Sequence, residues 1–165
     1  MSGGRFELGL GAGAFWQGIE AMGGRALSRK QSVDAVEQAI VELREFWKAE
    51  GKFDGPKPAH QIGIWLGAYR PRMLRIAGAL ADGWVPSQSY LPPDQVPEAM
   101  KRVDDAAAAE GRDPKEIRRF YNLSSDDPAT PLVYRLLATG LWKRPYSGVF
   151  ACGVLVPAGR HPRLS

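Results

Sequence analysis

The sequence is poor in several things, and each shortage removes a class of protein. Its 165 residues hold one cysteine, Cys152, so no disulfide can form within the chain, and a small secreted fold framed by disulfides is excluded. Its two histidines, His60 and His161, lie about 100 positions apart, with no carboxylate or thiol at ligand spacing from either. A metal centre is therefore not expected, and each reads as a surface histidine. No run of about 18 apolar residues occurs, and the opening Met-Ser-Gly-Gly-Arg has no apolar segment behind its positive charge. The expectation is a soluble, cytoplasmic protein without membrane contact.

Excess charge of one sign is also missing from most of the chain. The net charge is +4, but residues 1–125 hold 17 Lys and Arg against 16 Asp and Glu, and residues 126–165 hold 5 against 2. The basicity belongs mainly to the tail. No dense Lys/Arg cluster with interleaved aromatics appears, so nucleic acid is not an expected partner. Nor can a nucleophile and a base be paired from sequence, which leaves the catalytic residues unassigned.

What is present begins with Arg5 to Gly13, an apolar run ending in glycines at every second position. Phe6, Leu8 and Leu10 read as the side chains of a buried strand. Gly9, Gly11 and Gly13 remove the Cβ atoms that would hold a ligand or another backbone at a distance. A glycine-lined loop leaves main-chain N–H groups free for an anion, so a phosphate is its natural guest. A purely structural close approach is the plainer alternative. Gly9 to Ala14 also matches G-x-G-x-x-A, but Phe15-Trp16-Gln17-Gly18 is a poor helix start and Asp34 falls on a helix, so the dinucleotide context fails.

From there strand and helix alternate. Ala14 to Leu27 reads as a long loop over a site. Ser28 with Gln31 forms a capping box, and Val33, Val36, Ile40, Leu43 and Trp47 mark one helical face, which Gly51 stops. Gln61 to Ala68 is a second strand; Pro71 opens a helix carrying Met73, Leu74, Ala77 and Leu80. Trp84-Val85 follows the Asp82-Gly83 turn as a third strand. Val96, Met100, Val103 and Ala107 form a further helix, closed by Gly111. Asp113 caps a single turn before Arg118 to Leu123, the fourth strand. This rhythm predicts a parallel sheet in sequence order with crossover helices. It breaks after Leu123, where only a short helix from Thr130 to Leu137 and a strand from Val149 to Val156 suggest themselves. Trp65 and Trp84 are read as core, Asp82 as a turn carboxylate, and Arg70 and Arg72 as candidates to reach an anion.

Several of these stretches, taken in series, resemble the bacterial luciferase-like flavin-dependent oxidoreductases: Gly9-Leu10-Gly11-Ala12-Gly13, the Gly-rich loop, the helix from Ser28 to Ala49, Ile64 to Ala68 with Pro71-Arg72, Ala81-Asp82-Gly83-Trp84, and Gly111-Arg112-Asp113-Pro114. The resemblance implies a (β/α)8 TIM barrel, a small-molecule substrate, and monooxygenation or hydride transfer with FMN or the deazaflavin coenzyme F-420. It would make the glycine strand the fifth of the barrel, with Gly11, Ala12 and Gly13 binding the cofactor phosphate and Tyr69 and Ser87 near the site. Tyr69-Arg70 departs from the tyrosine-glycine of the family. A barrel of this kind needs about 250 residues, and the first four strands have no counterpart before Arg5. The expectation is thus a partial barrel of about four β/α units, the second half, over residues 1–125, with a tail of unassigned fold over 126–165. Such a fragment would expose sheet edges, self-associate, and be inactive alone. The alternative is a non-catalytic remnant or interaction module.

Overall fold

The computed structural model describes residues 6–13, 16–48, 58, 60–123 and 148–151. Over these the chain runs β1 (Leu8–Leu10), α1 (Trp16–Ala21), α2 (Arg29–Lys48), β2 (Ile64–Leu66), α3 (Pro71–Leu80), β3 (Gly83–Trp84), α4 (Val96–Ala109), β4 (Arg118–Leu123) and β5 (Gly148–Ala151). Single 3-10 turns sit at Pro93–Gln95 and Pro114–Glu116. The strands form one sheet in the order of the sequence, and every neighbouring pair is parallel. Parallel neighbours require crossovers, and these take one hand, so helices joining successive strands fall on the same face. In agreement, α3 packs against both α2 and α4. This is the partial (β/α)8 barrel the alternation predicts, and the unreversed strand order separates it from a doubly wound dinucleotide fold.

Local chemistry explains the elements. Gln31 Oε1 accepts from the Ser28 N–H at 3.0 Å and Ser28 Oγ from the Gln31 N–H at 3.3 Å, so the capping box forms as read. Proline stands in the first turn of α3, where its missing N–H costs nothing. Gly111 ends α4 at φ 70°, and the Asp113 carboxylate then accepts from the Lys115 N–H at 2.9 Å. The core lies between the helices and one sheet face: Ile64, Leu66, Trp84 and Tyr121 meet Ile40, Leu74, Ala77, Val96 and Val103. Where α3 approaches α4, a Cβ on Gly78 would overlap the Val103 carbonyl oxygen, so only glycine permits that spacing.

The structure corrects three expectations. Phe6 is 51% exposed and Leu8 and Leu10 only half-buried, because β1 is the edge strand and nothing described covers its outer side. The stretch from Ala14 to Leu27 is not all loop: α1 occupies Trp16–Ala21. Gly13, at φ 82°, turns the chain, and the Trp16 and Ile19 side chains then close over it at 3.5 Å from where a Cβ would stand. Glycine content hid that i, i+3 apolar pair. Finally, the rhythm does not end at Leu123: β5 falls at the start of the strand expected from Val149 to Val156 and pairs in parallel with β4. The expected helix from Thr130 to Leu137, the stop at Gly51 and Cys152 lie outside the described residues.

Candidate active site

Register decides which side chains share a face. Gly9, Trp65, Gly83 and Arg118 lie in one row across four strands, and Leu10, Leu66, Trp84 and Arg119 in the next. Side chains alternate between faces along a strand. The second row belongs to the helix-covered core: Trp84 is fully buried with its Nε1–H donating to the Ala68 carbonyl at 2.8 Å, and Arg119 donates to Asp104 on α4 at 2.6 Å. The first row therefore looks the other way, toward what is the interior of a closed barrel.

At the N-terminal ends of the strands this inner face carries a packed cluster. Trp65 lies over Gly83, where a Cβ would overlap its ring. Arg118 sits 4.5 Å from the Trp65 ring centroid, and Phe120 packs on Trp65 at 4.9 Å between centroids. Glu7 accepts from Arg118 at 2.7 Å and from Trp65 Nε1–H at 3.1 Å. Burial alone would raise the Glu7 carboxyl, but the hydrogen bonds from Arg118 and Trp65, helped by the Arg118 and His60 charges, outweigh it and hold the group below the usual carboxylate range. Trp65 is thus a packing residue, as read, but on the inner face of the sheet rather than the helix-covered one. Both ring nitrogens of His60 are shielded from water, so it is not the surface histidine expected.

At the opposite, C-terminal ends the face carries glycines and polar side chains, partly buried at Tyr69, Ser87 and Asn122. Gly11, Ala12 and Gly13 follow β1 directly, beside Gly67, whose N–H donates to the Leu10 carbonyl at 3.3 Å. A Cβ on Gly9 or Gly11 would meet nothing within 4 Å. No backbone acceptor among the described residues takes the N–H of Gly11, Ala12 or Gly13. Tyr69 stacks on Tyr90 at 5.0 Å and 11°. Ser87 bridges to Asn122 on β4, and the Asn122 Nδ2–H donates to Ser87 Oγ at 3.2 Å. The main chain fixes the same pair, with Gln88 N–H donating to the Asn122 carbonyl and Asn122 N–H to the Pro86 carbonyl, both at 2.9 Å.

Gly11, Ala12, Gly13, Tyr69 and Ser87 therefore gather at the end of the sheet where barrel enzymes place their chemistry. Arg72 does not join them: it faces α2, pairing with Asp34 at 2.5 Å and Glu37 at 2.8 Å. Hydrogen bonds from Arg72, against a smaller burial cost and with further help from Arg75, hold the Glu37 carboxyl below its ordinary range. Asp82 is more than a turn carboxylate, since it accepts from the Ile64 N–H at 2.8 Å and Arg44 at 2.9 Å. Asn122 and Tyr90 were not singled out from sequence. The signal for Asn122 was a polar residue inside an otherwise aromatic and apolar strand end, Phe-Tyr-Asn-Leu. Among the described residues no three of His, Cys, Asp and Glu converge on a metal position, and no helix is long and apolar enough to cross a membrane.

Among the described residues the glycine loop combines N–H groups that no backbone acceptor takes with open space at Gly11, the local chemistry that an anion such as a phosphate requires. Comparison with known proteins agrees with the fold. The chain is 35% identical over 128 residues to 5,10-methylenetetrahydromethanopterin reductase of Methanolobus tindarius, an alignment covering 71% of this chain and 37% of the relative. Its fold is similar to that of an F420-dependent secondary alcohol dehydrogenase, with TM-score 0.58 and 19% identity, over 73% of this chain and 40% of that one. It is also similar to the coenzyme F420 dependent tetrahydromethanopterin reductase of Methanopyrus kandleri, with TM-score 0.51 and 20% identity, over 76% and 44%. The matched part of the chain thus spans 37–44% of the length of each. The family model for luciferase-like monooxygenases matches residues 1–124, and the chain belongs to that family.

Proposed function

We propose that this chain forms the second half of the barrel of a flavin-type oxidoreductase, with Gly11, Ala12 and Gly13 seating the cofactor phosphate. The observation that carries the reading is the glycine loop at the C-terminal end of β1, with open space at Gly11 and N–H groups that no backbone acceptor among the described residues takes. Between the two cofactors, the deazaflavin F-420 is favoured over FMN. The relative at 35% identity is a methylenetetrahydromethanopterin reductase, and the solved tetrahydromethanopterin reductase is coenzyme F420 dependent. When bound, such a group supplies a hydride or an activated oxygen; these residues hold its phosphate and shape one side of the pocket. The substrate is a small molecule, in a cytoplasmic setting consistent with a lone cysteine. Residues 1–125 supply four strands of the barrel portion, and β5, within 126–165, extends the same sheet.

Half a pocket leaves most of a ring system in water, and tight binding requires burying most of the ligand. The chain alone is therefore expected to bind F-420 or FMN more weakly than micromolar and to turn nothing over. Gly11→Asp should abolish what binding there is through charge at the phosphate, and it should leave the fold intact, since a Cβ at Gly11 meets no atom. Fluorescence titration with both cofactors decides this: submicromolar affinity, or indifference to Gly11→Asp, refutes the placement. The edge of β1, which no described strand covers, also predicts self-association, because exposed strand edges pair. A concentration-independent monomer in sedimentation velocity would contradict that.

A further inference from the structure

We infer that Ser87 and Asn122 form a docking pair for a cyclic amide edge, the side-by-side N–H and C=O of a lactam or imide ring. The location rests on reading this end of the sheet as the ligand face; the chemistry rests on the pair itself. Ser87 and Asn122 lie opposite each other on the inner face, at the tips of β3 and β4. The Asn122 Nδ2–H donates to Ser87 Oγ at 3.2 Å, which leaves the Ser87 hydroxyl proton available as a donor. Asn122 Oδ1 is shielded from water and has no hydrogen-bond partner among the described residues. An unpaired buried acceptor is costly, and such groups call for a partner. The pair as a whole therefore offers one donor and one acceptor next to each other.

That offer does not depend on how the carboxamide is turned. Rotated by half a turn, Oδ1 would accept from the Ser87 hydroxyl, leaving the Ser87 lone pairs as acceptor and the NH2 as donor. Either orientation complements an edge with one N–H and one C=O, and neither complements an edge with two donors or two acceptors. The main chain holds the two residues rigidly, through the Gln88 to Asn122 and Asn122 to Pro86 hydrogen bonds on either side. Tyr69 and Tyr90, stacked at the same end of the sheet, are suited to border a flat ring docked on the pair. Two ligand sources carry this edge: the pyrimidine ring of a flavin or deazaflavin, and the pyrimidine ring of a pterin.

The test uses the 15N-labelled full chain and two small probes, uracil and 1,3-dimethyluracil, which differ in the N–H groups alone. Uracil at millimolar concentration should shift the Asn122 side-chain amide signals, and dimethyluracil should not. Ser87→Ala and the near-isosteric Asn122→Asp should each weaken uracil about three- to tenfold, the loss of one hydrogen bond. No response at Asn122, or an equal response to the methylated probe, overturns the inference. Titrations of F-420, FMN and pterin against Asn122→Asp then identify the source by which affinity falls; unchanged affinity for all three also overturns it. The phosphate reading fails separately, if F-420 or FMN leaves the Gly11 to Gly13 amide signals unmoved while uracil still moves those of Asn122.

Discussion

Glycine serves two different purposes in this chain, and substitution separates them. At Gly78 the missing side chain is structural: a Cβ would overlap the Val103 carbonyl oxygen, a backbone atom that cannot turn aside. Gly78→Ala must push α3 and α4 apart and should cost about 1–3 kcal/mol, the range for overpacking. At Gly9 a Cβ meets nothing within 4 Å, and the backbone is not left-handed. Gly9→Ala should be neutral or stabilise by up to ~1 kcal/mol, because it restricts the unfolded chain. Urea denaturation of both variants checks the contrast, and equal effects would contradict it. Sequence alone shows the glycines as a class, but it cannot show which of them faces a crowded neighbour, since that depends on the register of the partner element.

The elements are tied together by arginines reaching across helix ends. Arg112, just past α4, donates to the Gly78 and Ala81 carbonyls at 2.7 Å each, and Arg44 on α2 donates to the Leu80 carbonyl at 2.8 Å. These are the carbonyls that the last turn of α3 leaves without helical partners. Arg112→Ala should therefore cost about 2 kcal/mol, the loss of hydrogen bonds to a charged donor, measurable as a lower urea midpoint. At this scale the sequence was most legible. Capping residues, proline at helix starts and the i, i+3, i+4 apolar spacing of α2, α3 and α4 all act within a few residues, so the order and direction of the strands followed. Three-residue strands such as β1 and β2 carry less signal, and both are shorter than the stretches expected to hold them. The glycine loop was legible because its three glycines alternate in sequence directly after an apolar run. The Ser87–Asn122 pair was not, because it joins residues 35 positions apart whose meeting depends on strand register.

Across the whole molecule, the inner cluster joins β1 to β4, which are not neighbours in the sheet. Three strand spacings in a flat sheet amount to about 14 Å, yet Glu7 and Arg118, 111 positions apart in sequence, meet at 2.7 Å. Glycines at positions 63 and 83 clear the way, since a Cβ on Gly63 would overlap the Glu7 carboxylate and one on Gly83 the Trp65 ring, and the two long side chains reach across. The lowered Glu7 carboxyl makes this tie sensitive to acid. Its contribution is complete above the ordinary glutamate value of about 4.3 and is lost as the pH falls through the lowered value in the folded state. The pair is partly exposed, so the effect should be at most about 1 kcal/mol. Stability measured in urea should separate the chain from Glu7→Gln at pH 7 but not at pH 3; a gap that persists in acid would contradict the assignment. Among the described strands β1 pairs with β2 alone, with Glu7 at its start and Gly11 just past its end. Releasing the carboxylate thus loosens one short cooperative unit whose far end is the glycine loop. Amide hydrogens along β1 and the loop should exchange with solvent as a group, and an anion held at Gly11 to Gly13 would slow the whole group, including Leu8 near the ion pair.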